Sequence, residues 1–173
     1  MEKYRRLAAA SPARFEPDLA MSLNNLSVDL SNAGDAAEAL EASRESVEIY
    51  RRLADANPAR FEPELASSLN NLSNRLSAAG DAAGALDAIR EAVEIYRRLA
   101  TAIPARYEPD FAWSLSVLSH RLEEQGQSEP AIKAAEEALR LIRPYADRYP
   151  ESEHGHGYKV IQRDLARLTG KGE

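Results

Sequence analysis

The chain has no cysteine among its 173 residues, which excludes a disulfide framework and any thiolate metal site. Aromatic residues are scarce at 6%, so Leu, Ala, Val and Ile have to fill whatever core forms. No stretch approaches the roughly 18 consecutive apolar residues of a membrane span. The opening MEKYRRLAAA is too short and too charged for a secretory signal. Lys and Arg total 22 against 28 Asp and Glu, a formal net charge of −6, which disfavours the concentrated positive face that a phosphate backbone requires. No phosphate-cradling glycine loop, HExxH or GxSxG occurs. These absences lead us to expect a cytoplasmic, single-domain protein with no nucleic-acid partner, no membrane partner, no metal and no cofactor.

What is present is a repeat. The pentapeptide YRRLA recurs at Tyr4, Tyr50 and Tyr96, a step of 46 residues. The same step relates Pro12, Pro58, Pro104 and Pro150, and also Gly34, Gly80, Gly126 and Gly172. Residues 4–49 and 50–95 are identical at 35 of 46 positions. Such self-similarity marks an array of stacked units rather than a long helical bundle, which has no reason to repeat so closely.

Each unit reads as two helices. Leu19, Leu23, Leu26 and Leu30 form one apolar stripe at helical period, repeated at 65/69/72/76 and at 111/115/118/122. Pro17, Pro63 and Pro109 suit a first helical turn, with Asp18, Glu64 and Asp110 beside them favouring the helix dipole. Gly34-Asp35 ends this helix. A second helix runs through Ala39, Ser43, Ser46, Tyr50 and Leu53, and Asn57-Pro58 closes it. The expected organisation over 1–173 is a partial second helix at 1–11, then repeats at 17–57, 63–103 and 109–149. A C-terminal capping helix follows at 157–169, with Ile161, Leu165 and Leu168 inward and Lys159, Arg163, Asp164 and Arg167 outward.

The segment SLNNLSNRLSAAGDAAGALDAIREAVEIYRRLA (68–100) resembles tetratricopeptide repeats, particularly the long-repeat kind of kinesin light chains and bacterial regulatory proteins. The family's small residue where the two helices cross matches Ser27, Ser73 and Ser119. Its turn glycine matches Gly34, Gly80 and Gly126, and its alanine opening the second helix matches Ala39, Ala85 and Ala131. A further small residue seven later matches Ser46, Ala92 and Ala138. The chain departs by placing Leu23 and Leu30 where the shortest consensus has Trp and Tyr, and by its longer repeat. The resemblance implies an all-α fold: a right-handed superhelical solenoid of antiparallel helix pairs.

The resemblance also places one face of each first helix on a concave wall. At about 100° per residue, Met21, Asn24, Val28 and Asn32 lie opposite the leucines. Ser67, Asn70 and Asn74 follow in the second unit, and Trp113, Ser116, His120 and Glu124 in the third. Of the 11 differences between the first two units, 21/67, 28/74 and 32/78 fall on this stripe, whereas Asn24/Asn70 does not change. An amide both donates and accepts, which suits a ladder of contacts to an extended peptide backbone. The alternative is that the asparagines bond adjacent helices. Trp113 reads either as an anchor for a ligand or as packing under the third repeat.

Other signals are weaker. His154-Gly155-His156-Gly157 reads as a loop rather than a metal site. Ser116, His120 and Glu124 stack along one helix face without an oxyanion hole, so they read as groove lining rather than a triad. Glu48 with Arg51 and Arg52, and Glu94 with Arg97 and Arg98, read as i, i+3 and i, i+4 pairs on a solvated face. The function expected is therefore a non-catalytic scaffold with a protein or peptide ligand in the groove. The alternatives are a module that self-associates through exposed solenoid ends, and a sensor segment of a larger regulator.

Overall fold

The computed structural model describes residues 2–170; Gly172, the last of the glycine series, lies outside them. Eight α-helices, and no strand, occur among the described residues. They are α1 (Glu2–Ala10), α2 (Pro12–Ala33), α3 (Ala36–Ala56), α4 (Pro58–Ala78), α5 (Ala82–Ala102), α6 (Pro104–Glu124), α7 (Ser128–Arg148) and α8 (Glu153–Leu168). The chain divides into two compact units, 1–88 and 89–173, with the boundary inside α5.

In the first unit α2 packs on α3 and α3 on α4, and α2 also touches α4. In the second unit α6 packs on α7 and α7 on α8, and α6 also touches α8. Each unit therefore sets two first helices side by side with a second helix against both. The turns are built alike. Gly34, Gly80 and Gly126 adopt φ of 91°, 82° and 72°, a left-handed conformation that costs glycine nothing. The amide after each glycine then reaches back into the helix end: Asp35 N–H to Leu30 O, Asp81 to Leu76 and Gln127 to Leu122, all at 2.9 Å. That satisfies carbonyls the helix leaves orphaned.

The helices start earlier than the sequence suggests. Pro12, Pro58 and Pro104 occupy the first helical turn after one extended residue, Ser11, Asn57 or Ile103. Pro17, Pro63 and Pro109 therefore lie inside helices rather than at their starts. So near an N-terminus each removes about one intrahelical bond, and continuing the helix buries Phe61 and Tyr107. Arg60 stacks over Phe61 at 4.8 Å and Arg106 over Tyr107 at 5.0 Å. α8 also starts earlier than expected, at Glu153, so the His154–Gly157 segment is its first turn and not a loop. Gly155 is needed there: a Cβ would run into the Pro150 carbonyl.

Leu23, Leu69, Leu115 and Ile161 are the buried centres of α2, α4, α6 and α8. The small residues are buried at the crossings: Ser73 Oγ donates to Ala85 O and Ser119 Oγ to Ala131 O, both at 2.8 Å. Ser46 Oγ donates to Ala20 O at 2.8 Å. Leu26, Leu72 and Leu118, though on the apolar stripe, are only half-buried. Several arginines reach other helices rather than only the glutamate one turn away. Arg52 binds Glu16 at 2.9 Å, and Arg97 binds Glu137 at 3.3 Å as well as Glu94 at 3.7 Å.

Candidate functional site: the inner stripe of the first helices

The stripe residues do not share one environment. In the first unit Met21 stands open, at 53% exposure, as do Ser67 and Asn32. Asn24, Val28 and Asn74 are half-buried, and Asn70 is 7% exposed. The reason is geometric. α4 lies beside α2, and the side of α2 turned toward it is partly covered, Asn24 included. Asn71 Nδ2 donates to Asn24 Oδ1 at 3.0 Å, and Arg75 donates to Ser31 Oγ. Both bonds tie one first helix to the next.

The second unit repeats the arrangement with charge. Trp113 is 52% exposed, Ser116 is buried and Glu124 is exposed, its carboxylate held by Arg121 of the same helix at 2.7 Å. His120 Nε2 lies 2.9 Å from Asp164 Oδ2 of α8. Arg167 grips the Glu123 carboxylate, one bond measuring 2.8 Å. This hydrogen bond holds Glu123 below the usual carboxylate range, against a smaller opposing effect of burial.

On α8 Lys159, Arg163 and Arg167 are exposed as expected, and Asp164 alone departs from the charged outer face. It is 9% exposed and turned inward. In repeat register it stands where Leu26, Leu72 and Leu118 stand, and an acid at a leucine position was the available signal. Two further positions depart from the repeat register. Ile142 replaces Tyr50 and Tyr96, and Gly157 replaces Leu19, Leu65 and Phe111. Both line a cleft of about 510 Å³ beside Trp113. Among the described residues, no group of three His, Asp or Glu side chains is placed to hold a metal ion. No described helix is long and apolar enough to cross a membrane.

Paired helices, a glycine at each turn and small residues at each crossing define an all-α helical-repeat protein of the solenoid class. Residues 18–98, a little under half of the chain, match the family model described as Tetratricopeptide repeat. The fold of the chain is shared with solved structures of low sequence identity. One is the TPR-like repeats assigned to a kinesin light chain of Podosopora anserina, with 21% identity, TM-score 0.68, and 87% of this chain against 67% of that one. Another is BtubC (BKLC) from P. vanneervenii, with 19% identity, TM-score 0.67, and 98% of this chain against 61% of that one. The chain thus spans about two thirds of the length of these relatives. No curated protein matches it in sequence. Tetratricopeptide folds are typically non-catalytic scaffolds, and the family generally binds proteins.

Proposed function

We propose that the chain is a non-catalytic scaffold that binds a protein or peptide along the inner stripe of its first helices. One observation carries the reading. Met21 and Trp113, at equivalent positions of two first helices, are large apolar side chains left more than half exposed. Exposed aromatic and methionine side chains on a polar surface are the usual anchors of a binding face. The exposed Asn32 and Ser67 of the same stripe supply groups able to hydrogen-bond a ligand's backbone. His120 and Glu124 are held by different partners, Asp164 and Arg121, which supports lining rather than catalysis.

The test compares the native protein with the Met21→Asp/Trp113→Asp double variant. Partners retained from native lysate are identified and then titrated individually against both. Loss of an anchor at about 1–2 kcal/mol should weaken binding by the unit that holds the partner roughly five- to thirtyfold, with the melting temperature unchanged because both side chains are exposed. A partner bound equally well by both proteins would place the binding surface elsewhere.

A further inference from the structure

The cleft beside Trp113 exists because of what the third and fourth repeats lack. In the first unit Tyr50 is buried, and its hydroxyl feels the carboxylates of Glu64 and Asp18. The tyrosine ring plugs the space between two neighbouring first helices. In the second unit the register-equivalent of Tyr50 is Ile142, and that of Asp18 is Asp110. Asp18 is thus kept while the ring and hydroxyl are gone, and Glu64, the other carboxylate beside Tyr50, has His156 as its register-equivalent, which lines the cleft with His154. Gly157 takes away a second side chain, where the earlier repeats carry Leu19, Leu65 and Phe111. A Cβ built on Gly157 meets nothing within 4 Å, so the space a side chain would fill is open.

What remains is a cleft of about 510 Å³, inside the range of small-ligand sites. Ile142, Ile161 and Val160 make its apolar lining, and the indole of Trp113 stands at its side. Asp110 and Glu153 bring carboxylates to it, and neither forms an ion pair among the described residues. Burial in the cleft mouth holds the Asp110 carboxyl above its ordinary range, and nearby His154 works in the opposite direction.

We propose that this cleft binds an arginine side chain of a peptide ligand. The inference rests on the scaffold reading above and names what one part of that surface selects. An occupant has to present an apolar stem to Trp113 and the isoleucines, and a positive head to Asp110 and Glu153. A guanidinium meets both demands. It is flat and weakly hydrated, stacks on an indole face, and pairs with a carboxylate through two parallel N–H donors. An acidic peptide would bring its charge against two carboxylates, and a purely apolar one would use the indole and the isoleucines but neither carboxylate.

Trp113 is the protein's one tryptophan, so its fluorescence and its indole N–H resonance report on this cleft alone. The probe is the peptide acetyl-Ala-Arg-Ala-amide, with citrulline in place of arginine as an uncharged control of nearly the same shape. Saturable shifts of the indole signal are expected with arginine, and at least tenfold weaker binding with citrulline. Asp110→Asn/Glu153→Gln should weaken the arginine peptide at least tenfold. Gly157→Leu should do the same by filling the cleft, without lowering the melting temperature, because the space is open and leucine favours the helix over glycine. Ile142→Tyr, which restores the plug of the earlier repeats, provides a second filled cleft should the first variant fold poorly. Equal binding of the two peptides, unchanged binding to both filled-cleft variants, or no saturable shift at all would overturn the proposal. A protein that ignores the arginine peptide yet holds a partner through Met21 and Trp113 would lose this pocket and keep the scaffold function.

Discussion

Asn71 Nδ2 donates a 3.0 Å hydrogen bond to Asn24 Oδ1, joining α2 to α4. The oxygen of Asn24 is therefore engaged within the fold, and only the rest of its amide remains for a ligand. Asn24→Ala should lower the unfolding free energy by about 0.5–1.5 kcal/mol, the net worth of one such bond. Urea denaturation measures this directly. A variant as stable as the native protein would mean that the pair contributes nothing to holding the helices together.

Core energetics separate two leucines three residues apart. Leu69 is 1% exposed, whereas Leu72 is half-buried. Leu69→Ala should cost about 2–5 kcal/mol, the range for a fully buried leucine. Leu72→Ala should cost clearly less, because part of its surface is already in water. Equal shifts of the unfolding midpoint would contradict the placement of the two side chains.

Tyr50 makes the protein sensitive to alkali. Burial, followed by the carboxylates of Glu64 and Asp18, pushes its hydroxyl up to about 12. The unfolded chain ionises this group near 10, so the folded state holds the proton more tightly. The stabilisation is complete below about pH 10 and is lost as the pH climbs from about 10 to 12, amounting to roughly 2–3 kcal/mol. Tyr50→Phe removes the ionisable group. Its stability relative to the native protein should therefore rise across that interval, as followed by urea midpoints at successive pH values. A constant difference between the two proteins would show that Tyr50 does not ionise on unfolding.

The Glu123–Arg167 pair acts at the acidic end. Hydrogen bonding to Arg167 holds Glu123 below the usual carboxylate range. Its contribution is thus present above about pH 4.3, the ordinary value for glutamate, and fades as the pH falls through the lowered value. Arg167 is exposed, so Glu123→Gln at neutral pH should cost no more than about 1 kcal/mol, and less in high salt. A cost that does not change with salt would show that the pair acts through packing rather than charge.

Local rules carried the helical content, the turns at Gly34, Gly80 and Gly126, and the small residues at the crossings. A 3.6-residue stripe, a left-handed glycine and a serine at a fixed offset act within one or two helices, so they are legible in the chain itself. Helix starts were less legible, because a proline is compatible both with opening a helix at Pro12 and with lying early inside one at Pro17. The stripe of the first helices was legible as a face, but which of its members stand open was not. Asn24 meets Asn71, His120 meets Asp164, and Leu72 is half-exposed where Leu69 is not. Each of these depends on which helix lies alongside, and on side chains more than forty residues apart in the two bonded pairs. The cleft beside Trp113 is of the same kind. The sequence contains Ile142 and Gly157 fifteen residues apart, but only the packing of α6, α7 and α8 turns two missing side chains into one space.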